Sequence, residues 1–235
     1  MIRDDVFLVA GNLTSVSADV LEKWKKDVVD SILFSQLYAS SKISKFSDSQ
    51  RWYENYTEAM AKTKWKTDGF RFSKIELDEG ETVVLNVLVQ KRIGSVVGLP
   101  QTEQFEQLMC SIQQGCAVEA MASLTEDHAM VFQDKGKTST LSTVVLHVSL
   151  VGRGPAICSA LVCFKTTQKI KRNFLHQEFK SELIVGEIDI GISQLVLDRN
   201  AYEKARMREK ILVSLPEITD PLVLDITAKD EDQVR

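Results

Sequence analysis

Three histidines, four cysteines and one dense aromatic group are the side chains of this 235-residue chain best suited to chemistry. Nucleophilic catalysis needs a Cys or Ser beside a base. Cys163 and His147 are the pair that two neighbouring strands would bring together. Acid–base work needs two carboxyl groups with different roles, and Glu187 and Asp189 alternate along one segment. Each has a plainer reading. His147 lies in TVVLHVSL (143–150), where a histidine satisfied inside a sheet is the expected state. Glu187 and Asp189 read as the solvated face of a strand. His128, His147 and His176 share no zinc-ligand spacing. Gly152-Arg153-Gly154-Pro155 reads as a hairpin turn, because the proline and flanking strand patterns do not suit a phosphate cradle. We therefore expect no catalytic residue, no metal and no cofactor.

The aromatic group is the most distinctive feature. Trp52, Tyr53 and Tyr56 fall on one face of a helical segment, with Trp65 shortly after. Trp and Tyr dominate interface hot spots, so these three are the candidate partner-binding residues. The competing reading packs the same helix on a hairpin, with indole and phenol groups reaching polar partners at its edge.

Helices and strands must position these residues. Val20, Trp24, Val28 and Ile32, with Leu21, Val29, Leu33 and Leu37, predict a long first helix over 17–40, capped by Ser17. A second helix starts near Asp48 or Ser49, and Asp68-Gly69 closes that stretch with a turn. Phe70–Leu77 and Thr82–Val89 predict a hairpin around Asp78-Glu79-Gly80-Glu81. A third helix runs from Thr102 to about Leu124, with Ile93–Pro100 as a loop or short strand before it. The region 128–197 predicts four antiparallel strands (128–133, 140–151, 156–167 and 181–197), followed by a final helix to about Leu212 and an edge strand over 222–226. Blocks of helices and strands without βαβ alternation predict an α+β class: an antiparallel sheet with about four helices in a single domain over 1–226. The polar end, 227–235, is expected to be a tail.

Composition bounds the function. Apolar residues make up 44% and charged residues 26%, as in a globular chain able to bury a sizeable core. The net charge of −4 argues against a broad nucleic-acid footprint. Two basic clusters, Lys165, Lys169, Lys171 and Arg172, and Lys204, Arg206, Arg208 and Lys210, read as solvated surface. Cys110, Cys116, Cys158 and Cys163 contain no C-x-x-C pair and read as small buried hydrophobes. Asp4 and Asp5 ahead of a short apolar run do not fit a secretory signal, and no apolar window is long enough for a membrane span. Stable membrane insertion is not expected.

The segment 27–75 resembles the opening of an uncharacterised microbial family. The residues that carry the resemblance are Asp27, Val28, Ser31, Leu33, Gln36, Leu37, Trp52, Tyr53, Tyr56, Trp65, Phe70 and Phe72. The serine-rich strand pattern of the family is not evident in the second half. Members of that family resemble accessory, non-pore-forming proteins encoded beside α-helical pore-forming toxins, as in the Vibrio motility-associated killing-factor operon. The resemblance implies a bacterial, cytoplasmic, non-pore-forming, toxin-associated protein; the absence of an active-site motif, with aromatic and β-edge surfaces suited to binding, points to a non-enzymatic accessory protein that binds a protein partner or itself as a homodimer. The alternative is an enzyme or small-ligand-binding protein whose site is assembled from residues scattered in sequence.

Overall fold

The computed structural model describes residues 4–96, 98–112, 129–133, 140–219 and 222–227. The chain opens with a hairpin of β1 (Asp5–Val9) and β2 (Asn12–Val16). Ala10 and Gly11 both have positive φ (45° and 80°), the two-residue turn whose twist matches a hairpin. The polar look of β2 hid it in the sequence. It lies inside the molecule because it pairs in parallel with β6 (Thr140–Gly152), Asn12 opposite His147 and Val16 opposite Val151.

Helix α1 (Glu22–Lys42) begins later than expected, with Leu21 rather than Ser17 at its N-cap. Most of its expected apolar stripe is buried (Trp24, Val28, Val29, Ile32 and Leu33), whereas Leu21, placed in that stripe, is exposed at the N-cap and Leu37 is half-buried. Helix α2 (Ser49–Lys62) starts where Asp48 accepts a hydrogen bond from the Arg51 backbone N–H at 2.9 Å.

The expected hairpin of 70–77 with 82–89 does not form. Strand β3 (Trp65–Ile75) pairs instead with β9 (Ile184–Leu197), and Asp68-Gly69 is a bulge in that pairing rather than a turn. The β-branched run is strand only at β4 (Thr82–Val84), which pairs with β8 (Glu178–Lys180) in a two-stranded ribbon. The chain then enters α3 (Leu85–Gly94), because Leu85, Leu88, Val89 and Ile93 recur at helical spacing and bury one face. Helix α4 (Leu99–Ser111) starts at Leu99 with a proline in its first turn, ahead of the expected Thr102. The expected extension of this helix to Leu124, with Gly115 and Cys116, lies outside the described residues, as does His128.

The C-terminal half follows the expected strands: β5 (Ala129–Gln133), β6, β7 (Ala156–Thr166) and β9, joined between β6 and β7 at Gly152-Arg153-Gly154-Pro155. The expected last helix is broken into α5 (Arg199–Lys204) and α6 (Met207–Ser214) by Arg206, whose left-handed conformation (φ 49°) interrupts the helical ladder. β10 (Val223–Asp225) is the expected edge strand, paired with β1. Of the polar tail, 228–235 lie outside the described residues.

The result is a single α+β domain: an eight-stranded, mostly antiparallel sheet and six α-helices among the described residues. The strand order is β10-β1-β2-β6-β7-β9-β3, with β5 also on β6. Helices α1, α2, α5 and α6 cover one face, and α3, α4 and the β4–β8 ribbon cover the other. Strands β6 and β7 are therefore buried on both faces, which is why they read as nearly continuous apolar runs. Side chains alternate between two cores: Val144, Leu146, Val148 and Leu150 point to the α3–α4 side, Val145 and Val151 to the α1–α2 side.

Candidate functional site

Along the α1–α2 face, the apolar alternation is interrupted by a row of polar residues. Asn12 and Thr14 of β2, His147 and Ser149 of β6, Ser159 of β7 and Ser193 of β9 are all buried. Strand register puts Asn12 beside His147, Thr14 beside Ser149, and Ser159 beside both Ser149 and Ser193. Buried polar groups must find partners, and most of these do. Thr14 Oγ1 donates to Asn12 Oδ1 (3.0 Å), and Asn12 Nδ2 donates to Ser149 Oγ (3.0 Å) and to His147 Nδ1 (2.9 Å). With Nδ1 accepting, the imidazole proton sits on Nε2, which donates to Ser159 Oγ at 2.7 Å.

Helix α2 closes this row from above. Trp52, Tyr53 and Tyr56 each meet the edge of the His147 ring, with centroid distances of 5.5, 5.8 and 4.8 Å and interplanar angles of 87–90°. The Tyr53 hydroxyl donates to the Ser159 carbonyl oxygen (2.9 Å) and accepts from Ser193 Oγ (2.9 Å). Trp52 Nε1 donates to Ser40 Oγ at 3.0 Å. Gly191 makes room for the Tyr53 ring: a Cβ there would lie 2.5 Å from Tyr53 Cδ1. Trp52, Tyr53 and Tyr56, the candidate partner residues, are thus interior (1%, 0% and 0% exposed) and offer no surface to a partner in this conformation. Their physical role is the packing alternative, with the central strands in place of the expected hairpin.

Burial sets the protonation states. His147 is held neutral, its pKa pulled down to about 3 by desolvation and secondarily by the Lys45 charge. Burial pushes the Tyr56 phenol up to about 12, and the nearby Ser149 and Ser159 hydroxyls draw it partly back. No hydrogen bond of normal geometry satisfies the Tyr56 hydroxyl. Tyr53 is pushed well above the usual phenol value by the same desolvation.

Ser159, His147 and Asn12 form a nucleophile–imidazole–amide row, but its chemistry runs the wrong way. His147 donates to Ser159 rather than accepting from it, and all three are enclosed. The Cys163–His147 pair, weighed against two ordinary core residues, does not form. Val145 is opposite Cys163, Leu161 is opposite His147, and both imidazole nitrogens are engaged elsewhere. Cys158 and Cys163 are buried thiols pushed up to about 12 by desolvation, while Cys110 is exposed. Glu187 and Asp189 share Lys74 (3.6 and 3.5 Å), and Asp189 also accepts from Ser49 Oγ at 2.5 Å. His176 contacts the Asn86 amide through Nδ1 at 2.9 Å. Among the described residues there is no group of three or more His, Cys, Asp or Glu placed to hold a metal, and no helix is long and apolar enough to cross a membrane.

The outer surface offers a different kind of site. A groove of about 470 Å³ is lined by Lys23 and Trp24 of α1, Lys66 of β3, and Asp198, Arg199 and Glu203 around α5. Lys66 pairs with Asp198 at 2.8 Å and Lys23 with Glu203 at 3.8 Å. Of the two basic clusters, Lys165, Lys169, Lys171 and Arg172 are exposed around the loop after β7. In the other, Arg206 pairs with Glu209, and Arg208 lies 3.5 Å from the buried Asp27.

No family model matches the sequence, and no curated protein matches it. Solved structures do match it, three of them at TM-scores below 0.5. A delta-endotoxin gives a TM-score of 0.47 at 12% identity, with 79% of each chain covered. The activated Cyt2Ba monomer from Bacillus thuringiensis subsp. israelensis gives 0.42 at 11% identity, covering 79% of this chain and 96% of the other. The Evf virulence factor gives 0.34 at 12% identity, covering 88% and 79%. At these scores and identities no function is carried from them to this chain.

Nothing in residue type separated the polar row from an ordinary core, yet a signal for it exists. In β6 two polar residues stand at alternate positions within an apolar run (His147 and Ser149), as they do in β2 (Asn12 and Thr14), and between Ile157 and Leu161 β7 carries a single one, Ser159.

Proposed function

We propose that this chain is a non-enzymatic interaction protein, an accessory partner in a bacterial pore-forming toxin system that acts in the cytoplasm. One observation carries the non-enzymatic part: the constellation most like a catalytic row, Ser159–His147–Asn12, is sealed under Trp52, Tyr53 and Tyr56, with the imidazole proton facing the serine. A working nucleophile needs a base free to accept its proton and a path for substrate. The toxin association rests on the resemblance of 27–75. Pull-down of the tagged chain from its native lysate, with mass spectrometry, tests it. Near-stoichiometric recovery of a co-encoded toxin subunit is the expected result. A stable monomer that recovers no toxin component refutes it.

The groove beside α5 favours a second reading, a small-ligand site assembled from residues scattered over α1, β3, β9 and α5. Arg199 has no ion-pair partner among the described residues, so a small anion is the ligand this groove suits. Thermal-shift measurements against small organic anions test it: a rise in Tm lost in Arg199→Ala supports the reading, and no shift with any anion refutes it.

A further inference from the structure

We infer that segment 199–214, which carries α5 and α6, is a proton-sensitive latch on α1: held closed when Asp27 or Asp30 carries a proton, and loosened when both are ionised.

Residues three apart on a helix are surface neighbours, and two like charges at that spacing repel. On α1 the pair Asp27 and Asp30 is turned inward: Asp27 is 5% exposed and Asp30 is half-buried. Tyr202 of α5 and Arg208 of α6 act on both carboxyl groups. The Trp24 ring of α1 meets the Tyr202 ring edge to face at 6.0 Å, so all these side chains share one junction. Buried polar atoms are normally hydrogen-bonded. Here Trp24 Nε1, Asp27 Oδ1, Asp30 Oδ2 and Tyr202 Oη are all buried without a hydrogen-bond partner.

The cations do not repair this. Arg208 Nε lies 3.5 Å from Asp27 Oδ1 and its side chain is half exposed, while Lys26 is exposed. Neither gives Asp27 Oδ1 or Asp30 Oδ2 a hydrogen bond. The one other ion pair from α1 to α5 among the described residues, Lys23 with Glu203, is long (3.8 Å) and exposed, and such pairs contribute little. A proton bound at either carboxyl group removes a buried charge and its repulsion of the neighbour, and turns an orphaned acceptor into a donor.

The segment over this junction is lightly anchored. α5 buries only Tyr202, and α6 buries only Met207 and Ile211. Arg206, with φ 49°, interrupts the helical ladder between them. Segments with few buried apolar contacts open at low free energy, so a penalty here acts on 199–214 before the rest of the fold. Burial raises the pKa of both carboxyl groups. Arg208 and Lys26 draw them partly back, and the Asp27 charge adds to the rise at Asp30. The open segment leaves ordinary carboxyl groups that titrate near 3.8, and the closed one holds its protons to higher pH. Closure is therefore tightest below 3.8 and weakens as pH rises through the closed-state pKa values.

Hydrogen exchange of the full chain from pH 4 to pH 7.5, read by mass spectrometry and corrected for the intrinsic pH dependence of exchange, tests the latch. Protection of 199–214 should lie below that of β6 and β7 and should fall as pH rises. Because local opening leaves His147 buried, its titration does not enter this readout. In Asp30→Asn the fall should shrink, leaving protection of 199–214 at pH 7.5 about fivefold above wild type. Arg208→Gln removes the cation nearest Asp27 and should lower protection more at pH 7.5 than at pH 4. Protection of 199–214 equal to that of β6 and β7 overturns the inference, because the segment then has no opening of its own. So does protection that ignores pH, or a pH profile unchanged by Asp30→Asn. No partner or ligand enters these measurements, so the accessory reading stands or falls separately.

Discussion

His147 should make the fold lose stability in acid, and the size of the loss follows from its burial. An ordinary histidine titrates near 6.5; this one is held down to about 3, first by desolvation and then by Lys45. The groups facing it from α2, β2 and β7 are Trp52, Tyr53, Tyr56, Asn12 and Ser159, none of which supplies a negative charge to stabilise an imidazolium. Between the two pKa values the unfolded chain binds a proton that the folded chain does not. Stability is therefore complete above pH 6.5 and falls by about 1.4 kcal/mol per unit as pH drops toward 3. At pH 4.5 the loss is about 2.7 kcal/mol. Asp27 and Asp30 act in the other direction. Burial raises both carboxyl pKa values, so their contribution is present below the usual carboxylate range and is lost as pH rises through the folded pKa. The raw pH profile mixes the two effects, so wild type must be compared with His147→Gln, whose amide can still donate to Ser159. Urea unfolding followed by fluorescence of the buried Trp24, Trp52 and Trp65 gives ΔG for both proteins at each pH. The variant should be less stable at pH 7.5, with its deficit shrinking by about 2.7 kcal/mol on going to pH 4.5. A deficit that stays constant over that range would refute the assignment of a buried, neutral, uncompensated imidazole.

Three further outcomes follow from the same packing. Gly191→Ala places a methyl group 2.5 Å from the Tyr53 ring and should cost about 1–3 kcal/mol in urea unfolding, most of it abolished in a Tyr53→Ala background. Asp30→Asn removes a charge whose desolvation raises its pKa and whose Oδ2 has no hydrogen-bond partner, so Tm at pH 7.5 should rise relative to wild type. Cys158 and Cys163 should resist alkylation by iodoacetamide in the native protein while Cys110 is labelled, as read by peptide mass mapping with and without urea.

Much of the fold was legible because local signals agreed with it. The Asp48 cap, the α1 stripe, the β6–β7 turn at Gly152–Pro155 and the alternation of Ile188, Ile190 and Ile192 each gave its element. What stayed hidden depends on distance in sequence. β2 is specified by a parallel partner 135 residues away (Asn12 with His147), and β3 by β9 rather than by the run that follows it. At α3, β-branched composition competed with helical spacing, and spacing won because Leu85, Leu88, Val89 and Ile93 bury one face. The break at Arg206 carries no glycine or proline signal. The aromatic trio was correctly placed on one helix face, but residue type alone does not distinguish a hot spot from a core.

The buried polar row gives that core a specificity that apolar residues alone would not supply. A one-residue slip of β2 along β6 would turn Asn12 and Thr14 toward the α3–α4 core and bring Leu13 to the α1–α2 face beside His147. Unpaired buried polar groups cost about 1–3 kcal/mol each, so the Thr14–Asn12–His147–Ser159 chain penalises every alternative register. Tyr53 extends the same logic to the helix layer. Its hydroxyl bonds to both β7 and β9, and its ring requires the missing Cβ of Gly191. The position of α2 is thereby set by two hydrogen bonds and one steric gap. Tyr53 also stacks on Phe70, so the seating of α2 supports the apolar side of the β3 edge. Removing the Tyr53 ring should therefore loosen the β3 edge, a coupling that the Tyr53→Ala protein, if still folded by far-UV circular dichroism, would reveal as faster hydrogen exchange of the 70–75 amides.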